Sequence, residues 1–136
     1  MNSAAAGLAT ARFVVLYHET PAESSRASHF DLMLETTAGP LRTWALEAWP
    51  EPPGEADAVL LSDHRPHYLE YEGAISNDRG WVRRIEHGTY EPLEKDDALE
   101  FRLNGESAAL LLKLTPQGGN LWRAAFTAAP SRSGKE

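Results

Sequence analysis

Alternation of apolar and polar residues at every second position is the feature that most restricts how this chain can fold. The segment His29–Glu35 alternates strictly, with Phe, Leu and Leu at its even positions on one face and the other side chains on the opposite face. No segment carries an apolar stripe at helical spacing over about 12 residues. About eight or nine short strands at regular spacing predict an all-β sandwich or barrel. The predicted strands are Arg12–His18, His29–Glu35, Leu41–Leu46, Ala58–Leu61, Trp81–Ile85, Leu99–Leu103, Ala108–Leu114 and Leu121–Phe126.

Turn residues separate these strands. Glu19–Ser28 and Trp49–Gly54 are predicted loops, and Asn104-Gly105 is a two-residue hairpin signal. Tyr68–Glu72 fits either an extended or a helical segment. Further turns are expected at Thr36–Gly39, Ser76–Gly80, His87-Gly88, Leu93–Asp97 and Pro116–Asn120.

Composition limits the chemistry. The 136 residues include no cysteine, which excludes a disulfide framework, a cysteine-ligated metal and a thiol nucleophile. Thirteen basic and 20 acidic residues give a formal net charge of −7, which argues against a nucleic-acid coat or an anionic-membrane binder. An enzyme that grips a few phosphates at one site remains compatible with this charge.

The ends of the chain differ from its middle. We interpret residues 1–10 as a flexible arm, 11–127 as a single domain and 128–136 as a disordered tail. The sequence has no membrane span or export signal, so we expect a cytoplasmic protein.

His29 and Asp31 form the best candidate site. Residues i and i+2 of a strand share a face, so an imidazole and a carboxylate could converge there on one divalent cation. His18, at the end of the preceding strand, could complete the set. Two histidines and one aspartate suit Mn²⁺, Fe²⁺ or Zn²⁺ with open coordination positions. The alternative, which spacing alone favours, is a solvated face on which His29 and Asp31 merely pair.

Two further segments carry polar side chains suited to phosphate chemistry. Asp63-His-Arg-Pro-His-Tyr68 places two imidazoles, a guanidinium and a phenol after a strand. Asn77-Asp-Arg-Gly80, followed by Arg83-Arg84, could cradle an anion at a tight turn. A polar loop and a plain hairpin turn are the respective alternatives.

Together these segments resemble the 3′-phosphoesterase domain of bacterial DNA ligase D, over Arg12 to about Phe126. In particular the chain resembles short, stand-alone ligase-D-like proteins. The motifs that carry the resemblance are Arg12-Phe-Val-Val with His18, His29-Phe-Asp-Leu-Met-Leu-Glu35, Leu41-Arg-Thr-Trp-Ala-Leu46, Asp63-His64 with Tyr68, Tyr71-Glu-Gly73 and Gly88-Thr-Tyr-Glu-Pro92.

The resemblance implies a compact, closed or partly open β-barrel of about eight strands that uses a divalent metal to trim 3′ ends in DNA repair. It implies Mn²⁺, with Zn²⁺ or Co²⁺ as alternatives, and removal of a terminal ribonucleotide or a 3′-phosphate from DNA. Carried over by position, His18, His29 and Asp31 would bind the metal, and His64 and Tyr68 would contact the scissile phosphate. We expect a monomer that makes no membrane contact and works beside a separate ligase or polymerase.

Met33 departs from the family pattern. The family has a phosphate-holding arginine at this position, two residues beyond the metal-binding aspartate. Our hypothesis is that Arg65 or Arg79 supplies the missing guanidinium.

Two alternatives to a phosphoesterase follow from the same residues. The first is a non-catalytic module of the same fold that binds DNA ends or a repair partner, which Met33 favours. The second is an iron(II) oxygenase-like β-fold enzyme, in which His29 and Asp31 would act with the distant His87.

Overall fold

The computed structural model describes residues 11–93 and 98–130, which form nine β-strands and one short 3₁₀ helix. The predicted arm at 1–10, residues 94–97 and residues 131–136 lie outside the described residues. No helix in the described ranges has the length and hydropathy needed to cross a bilayer. The strands are β1 (Arg12–Glu19), β2 (His29–Glu35), β3 (Leu41–Leu46), β4 (Gly54–Leu60), β5 (Gly73–Ala74), β6 (Trp81–Leu93), β7 (Leu99–Gly105), β8 (Ala109–Gly118) and β9 (Leu121–Ala128), and the 3₁₀ helix is Pro66–Leu69.

Eight strands close into an antiparallel barrel, which confirms the all-β expectation and selects the closed form. The order is β1-β2-β3-β4-β9-β8-β7-β6, and β6 pairs again with β1 to complete the ring. The two-residue β5 adds only to the edge of β6. Closure pairs every barrel strand on both sides, so none of the eight is left as a free edge.

Alternation along each strand fills the barrel interior. Phe13 and Val15 of β1 and Leu32 and Leu34 of β2 are fully buried in one cluster around Trp44. Burial of such a side chain contributes roughly 1.5–3 kcal/mol. This interior cluster is the main source of stability in the fold.

A second, smaller cluster lies on the outer face of β1, β2 and β6. Val14, Leu16, Met33 and Val82 point outward there and are nonetheless almost fully buried. The segment 61–80 covers them, and Leu69 of the 3₁₀ helix packs into the same cluster. Both faces of β1 and β2 are therefore apolar near this point, and the outer face can hold a partly enclosed site.

The Asn104-Gly105 hairpin prediction is wrong in position. Asn104 pairs with Ala109 within the ladder, and the turn is formed by Glu106 and Ser107. The carboxylate of Glu86 accepts hydrogen bonds from the backbone N–H groups of both turn residues. This side chain stabilises a turn two residues later than the one that Asn-Gly favours.

His87-Gly88 does not end β6, which continues to Leu93. The strand pairs with β1 from Trp81 to Thr89 and with β7 from Gly88 to Leu93. A Cβ on Gly88 would lie 2.0 Å from the carbonyl oxygen of Asn104, so glycine there permits close approach of β7. β4 likewise begins earlier than predicted, at Gly54, and β9 runs to Ala128.

Gly80 illustrates how tightly the outer segment is joined to the barrel. Its φ is +91°, and a Cβ there would lie 1.9 Å from the carbonyl oxygen of Glu19. Gly39 has a similar φ of +116° with no atom within 4 Å of its Cβ position. Both glycines have a positive φ, and they differ in how closely another part of the backbone approaches.

We expect Gly80→Ala to destabilise the fold by about 3 kcal/mol or more, because it adds a backbone collision to left-handed strain. Gly39→Ala should cost only about 1 kcal/mol, from strain alone. Urea denaturation of the two variants measures the difference. Equal midpoint shifts would mean that β1 and the Ser76–Gly80 turn are not held in contact as described.

Candidate metal centre

A small cavity lies on the outer face of the barrel between strands β1, β2 and β6 and the covering segment 61–80. Its volume is about 140 Å³, and it is open to solvent on one side. Apolar Met33, Leu61, Ile75 and Val82 form part of its wall. Polar side chains from both layers complete the lining: His18, Arg26, His29, Asp31, His64, Tyr68 and Arg79.

Three of these side chains form a compact cluster at the base of the cavity. One ligand atom from each of His18, His29 and Asp31 lies within 4.8 Å of the other two. Nε2 of His29 is 3.2 Å from one carboxylate oxygen of Asp31, and Nδ1 of His18 is 3.8 Å from the other. Ligand atoms around a cation with bonds of about 2.1 Å are typically about 3–4 Å apart. The strand spacing at His29 and Asp31 thus brings the two side chains together, and β1–β2 pairing adds His18 directly opposite His29.

Backbone carbonyls fix both imidazole rings. Nδ1 of His29 donates to the carbonyl of Ala27 at 2.9 Å, and Nε2 of His18 donates to the carbonyl of Arg79 at 2.8 Å. A carbonyl can only accept, so in each neutral ring the other nitrogen carries its lone pair toward the cluster. Histidines that bind metals are usually held by such a hydrogen bond from the second ring nitrogen.

Asp31 is buried without a full set of partners. Its side chain is 4% exposed, and Oδ1 accepts no well-aligned hydrogen bond from any described residue, although His29 lies at ion-pair distance. A buried carboxylate oxygen without a partner is costly. The donor set and this unpartnered oxygen together fit a divalent cation.

The surroundings of His29 favour positive charge at this ring. Burial acts to lower its pKa, but the adjacent Asp31 carboxylate and the Ala27 carbonyl outweigh burial and raise the pKa above its ordinary value. The positive charge of Arg26, which lines the same cavity, opposes this rise. His29 and Asp31 are buried and not on a solvated face, contrary to the alternative that spacing alone favoured.

The covering segment contributes His64 and Tyr68. His64 pairs with buried Leu41 through two backbone hydrogen bonds of 2.7 and 2.9 Å, which anchors it to β3. Its Nδ1 donates to the carbonyl of Ser62, leaving Nε2 available. The Tyr68 ring contacts the His64 ring edge-on with centroids 5.8 Å apart. Both residues therefore line the same cavity as the cluster of His18, His29 and Asp31.

The cavity contains two arginines, only one of which the sequence suggested. Arg79 lines it, and its guanidinium is oriented by hydrogen bonds to the carbonyl and hydroxyl of Ser76. Arg65 is exposed and lies outside the lining. Arg26 is the second cation, on the loop between β1 and β2.

Sequence reasoning missed Arg26 because it follows no strand pattern and belongs to no motif. Its position is set by a loop held together by Thr20, Ser24 and Ser28. The Thr20 hydroxyl donates to the Arg26 carbonyl at 2.7 Å, and the Ser24 hydroxyl accepts from the Arg26 N–H at 3.1 Å. The cluster of serines before His29 was the available signal that this loop is ordered.

His87 is not part of this site. It contacts Glu106 at 3.3 Å and lines a separate cavity with Arg12 and Arg84. His18, and not His87, joins His29 and Asp31. The iron(II) oxygenase interpretation required His87 to join His29 and Asp31, and the fold places His87 at a different cavity.

Comparison with known families supports the sequence resemblance. A family model described as the DNA ligase D 3′-phosphoesterase domain matches residues 21–115, which is 95 of the 136 residues. The matched range includes His29, Asp31, His64, Tyr68 and Arg79, whereas His18 precedes it. No curated protein sequence matches the chain.

Proposed function

The chain belongs to the family of DNA ligase D 3′-phosphoesterase domains, and on that basis we propose that it hydrolyses phosphoesters at nucleic-acid 3′ ends with a divalent cation. Family membership indicates a role in processing 3′ ends. The proposal adds the metal, the residues and the reaction. Its substrates are a DNA strand that ends in a 3′-phosphate and one that ends in a ribonucleotide.

One observation supports the proposal most strongly, namely the cluster of His18, His29 and Asp31 beside two arginines. In a chain with a net charge of −7, the cavity carries the cations Arg26 and Arg79 against the single carboxylate of Asp31. Such a site attracts one phosphate group while the rest of the protein repels the backbone. We therefore expect weak binding that depends strongly on salt.

His18, His29 and Asp31 would hold the cation. A divalent cation bound there supplies a Lewis acid for a phosphate oxygen and lowers the pKa of water that becomes the nucleophile. Mn²⁺ is our expected metal, and Zn²⁺ and Co²⁺ also suit two imidazoles and a carboxylate.

The remaining side chains act on the phosphate itself. Arg26 and Arg79 bind its non-bridging oxygens, taking the place of the arginine that Met33 replaces. In its imidazolium form, His64 would donate from Nε2 to the oxygen on which charge develops, and the Tyr68 hydroxyl would position the same group. On a 3′-phosphorylated strand, water adds to phosphorus and loses a proton to solvent, the bond from phosphorus to the 3′ oxygen breaks, and that oxygen takes up a proton to become a 3′-hydroxyl. On a strand that ends in a ribonucleotide, the bond from phosphorus to the 5′ oxygen of the ribonucleoside breaks first, the ribonucleoside leaves with a protonated 5′ oxygen, and a 3′-phosphate remains.

We expect Arg79→Ala and Arg26→Ala each to raise KM for a 3′-phosphorylated strand by about tenfold, because each removes a charged hydrogen-bond donor to phosphate. Arg65→Ala, from an exposed position outside the cavity, should change KM less than about twofold. Steady-state release of inorganic phosphate measures all three. A raised KM in Arg65→Ala, with normal KM values in the other two variants, would mean that Arg65 and not Arg26 or Arg79 binds the phosphate.

The second candidate is a module that binds 3′ ends without turnover. Met33 is the observation in its favour, since it is buried and lines the cavity where the family has arginine. This module would bind a 3′-phosphorylated end and release nothing.

The test compares three primer–template substrates that carry a 3′-phosphate, a 3′-terminal ribonucleotide or a 5′-phosphate. We expect Mn²⁺-dependent processing of the first two and none of the third. Binding of the 3′-phosphorylated strand without release favours the non-catalytic module. Equal release from the 5′-phosphate contradicts a 3′-end function.

A further inference from the structure

A shallow trough adjoins the candidate metal centre on the outer face of the barrel. Its volume is about 660 Å³, and it shares Arg26, His29 and Leu61 with the site cavity. Small-molecule sites usually occupy about 300–1,000 Å³, so the site cavity of about 140 Å³ has room for little more than a phosphate group and a cation. The nucleotides that precede a 3′ end must therefore lie outside it.

The strand register extends this trough directly from the metal centre. Asp31 of β2 pairs with Ala45 of β3, Ala45 with Val59 of β4, and Val59 with Leu121 of β9. The four residues form one row across the sheet, and three strand spacings span about 14 Å. At about 3.4 Å per stacked nucleotide, this is the length of roughly four nucleotides.

The far end of the row is apolar and exposed. Val59 is 37% and Leu121 56% exposed, and they are two of the three exposed large hydrophobic residues in the described ranges. Ala45 between them and Asp31 is small, which keeps the floor of the trough low. A contiguous apolar patch beside a polar site is typical of a ligand surface.

Charge at the rim favours one orientation of a bound strand. Glu47 and Asp57 line one edge, and Asp57 is already paired with Arg123 at 2.6 Å. Arg123 offsets the charge of Asp57, Glu47 repels phosphates, and Arg26 at the junction with the site cavity attracts them. The apolar floor is left for the sugars and bases.

A third cavity, near the covering segment, is not continuous with the site cavity. It is lined by Arg12, Glu70, Arg84 and His87 among others, and it shares no described residue with the site cavity. The 3₁₀ helix separates the two, with Tyr68 on one side and Leu69 and Glu70 on the other.

We infer that the trough from Ala45 to Leu121 docks the sugars and base edges of roughly four stacked nucleotides upstream of the 3′ end. This inference rests on the proposed function and names the part of the substrate that the barrel face binds. The side chains of Ala45, Val59 and Leu121 offer the bases no hydrogen-bond donor or acceptor, so the site selects a strand of sufficient length and no particular base order.

The experiment measures binding and not turnover, so that its failure is distinct from failure of the phosphoesterase proposal. Single-stranded DNAs with a 3′-phosphate, from about two to about eight nucleotides long, compete with a labelled strand in fluorescence anisotropy. EDTA is present so that no ligand is consumed. Wild-type protein should gain about tenfold in affinity between two and four nucleotides and little beyond.

The variant Val59→Gln/Leu121→Gln removes the apolar floor without adding charge. Its affinity for the longer strands should fall to that for the dinucleotide. The matched control is Thr127→Gln, an exposed residue on the same face of β9, which should behave as wild type. The length dependence should also persist at higher salt, because apolar contacts release no counterions.

Three results would overturn the inference. The first is an affinity that does not grow with length in the wild type, including no binding at all. The second is an unchanged length dependence in Val59→Gln/Leu121→Gln. The third is a change in oligomeric state of that variant by sedimentation, which would assign the trough to a second copy of the chain.

Discussion

Asp31→Asn is expected to lower metal-dependent phosphate release by at least about 10³-fold. The substitution keeps the shape of the side chain but removes the negative charge and the more basic oxygen ligand from between the two histidines. Steady-state release from a 3′-phosphorylated primer–template in saturating Mn²⁺ measures the rate. Asp63→Asn is the matched control, because it removes a carboxylate of the same kind from an exposed position outside the cavity.

A readout other than activity separates metal loss from misfolding. Asp31 is buried and its Oδ1 accepts no well-aligned hydrogen bond, so at a pH above the raised pKa of His29, where the carboxylate no longer pairs with a charged His29, neutralising it should not reduce the melting temperature of the metal-free protein. Mn²⁺ should raise the melting temperature of the wild type, by binding only the folded state, and should not raise that of Asp31→Asn. Normal release, or a normal Mn²⁺-induced rise in the variant, would remove Asp31 from the metal site.

His64→Ala is expected to lower kcat by about 10²–10³-fold with a much smaller change in KM. The backbone pairing with Leu41 and the hydrogen bond to Ser62 hold this ring in place before substrate arrives. Such a pre-positioned donor acts mainly on charge that develops in the transition state. The variant should keep its Mn²⁺-induced rise in melting temperature, because His64 is not one of the three residues proposed to bind the metal.

His67→Ala is the control for this prediction. His67 belongs to the same segment, is exposed, and its ring packs on Tyr68 with centroids 4.2 Å apart, but it does not line the cavity. It should retain wild-type kcat within about threefold. Equal losses in the two variants would mean that disturbing the Tyr68 packing, and not loss of the His64 imidazole, lowers the rate.

Local pattern predicted most of the strands, and it singled out His18, His29 and Asp31, which the fold brings together. Alternation in His29–Glu35 placed Asp31 and Met33 on one face and the leucines on the other, as the two clusters confirm. The pairing of β1 with β6 was not predictable, because it joins residues more than sixty positions apart and leaves no local signal. Burial of His29 and Asp31 was also missed, since it depends on the covering segment 61–80.

The errors in turn position have a common physical cause. Asn104-Gly105 has the residues for a tight hairpin, but the Glu86 carboxylate stabilises Glu106 and Ser107 instead. Gly88 resembles a strand end, yet its missing side chain serves close approach of β7. In both places, a contact from a distant strand outweighed a local preference.

Metal depletion and replacement is the most direct test of the account. Wild-type protein stripped with EDTA should release no phosphate from a 3′-phosphorylated primer–template, and added Mn²⁺ should restore release with a single cation per chain. The same titration of Asp31→Asn should restore nothing. Undiminished release in EDTA, or no release at any Mn²⁺ concentration, would contradict a metal-dependent 3′-phosphoesterase.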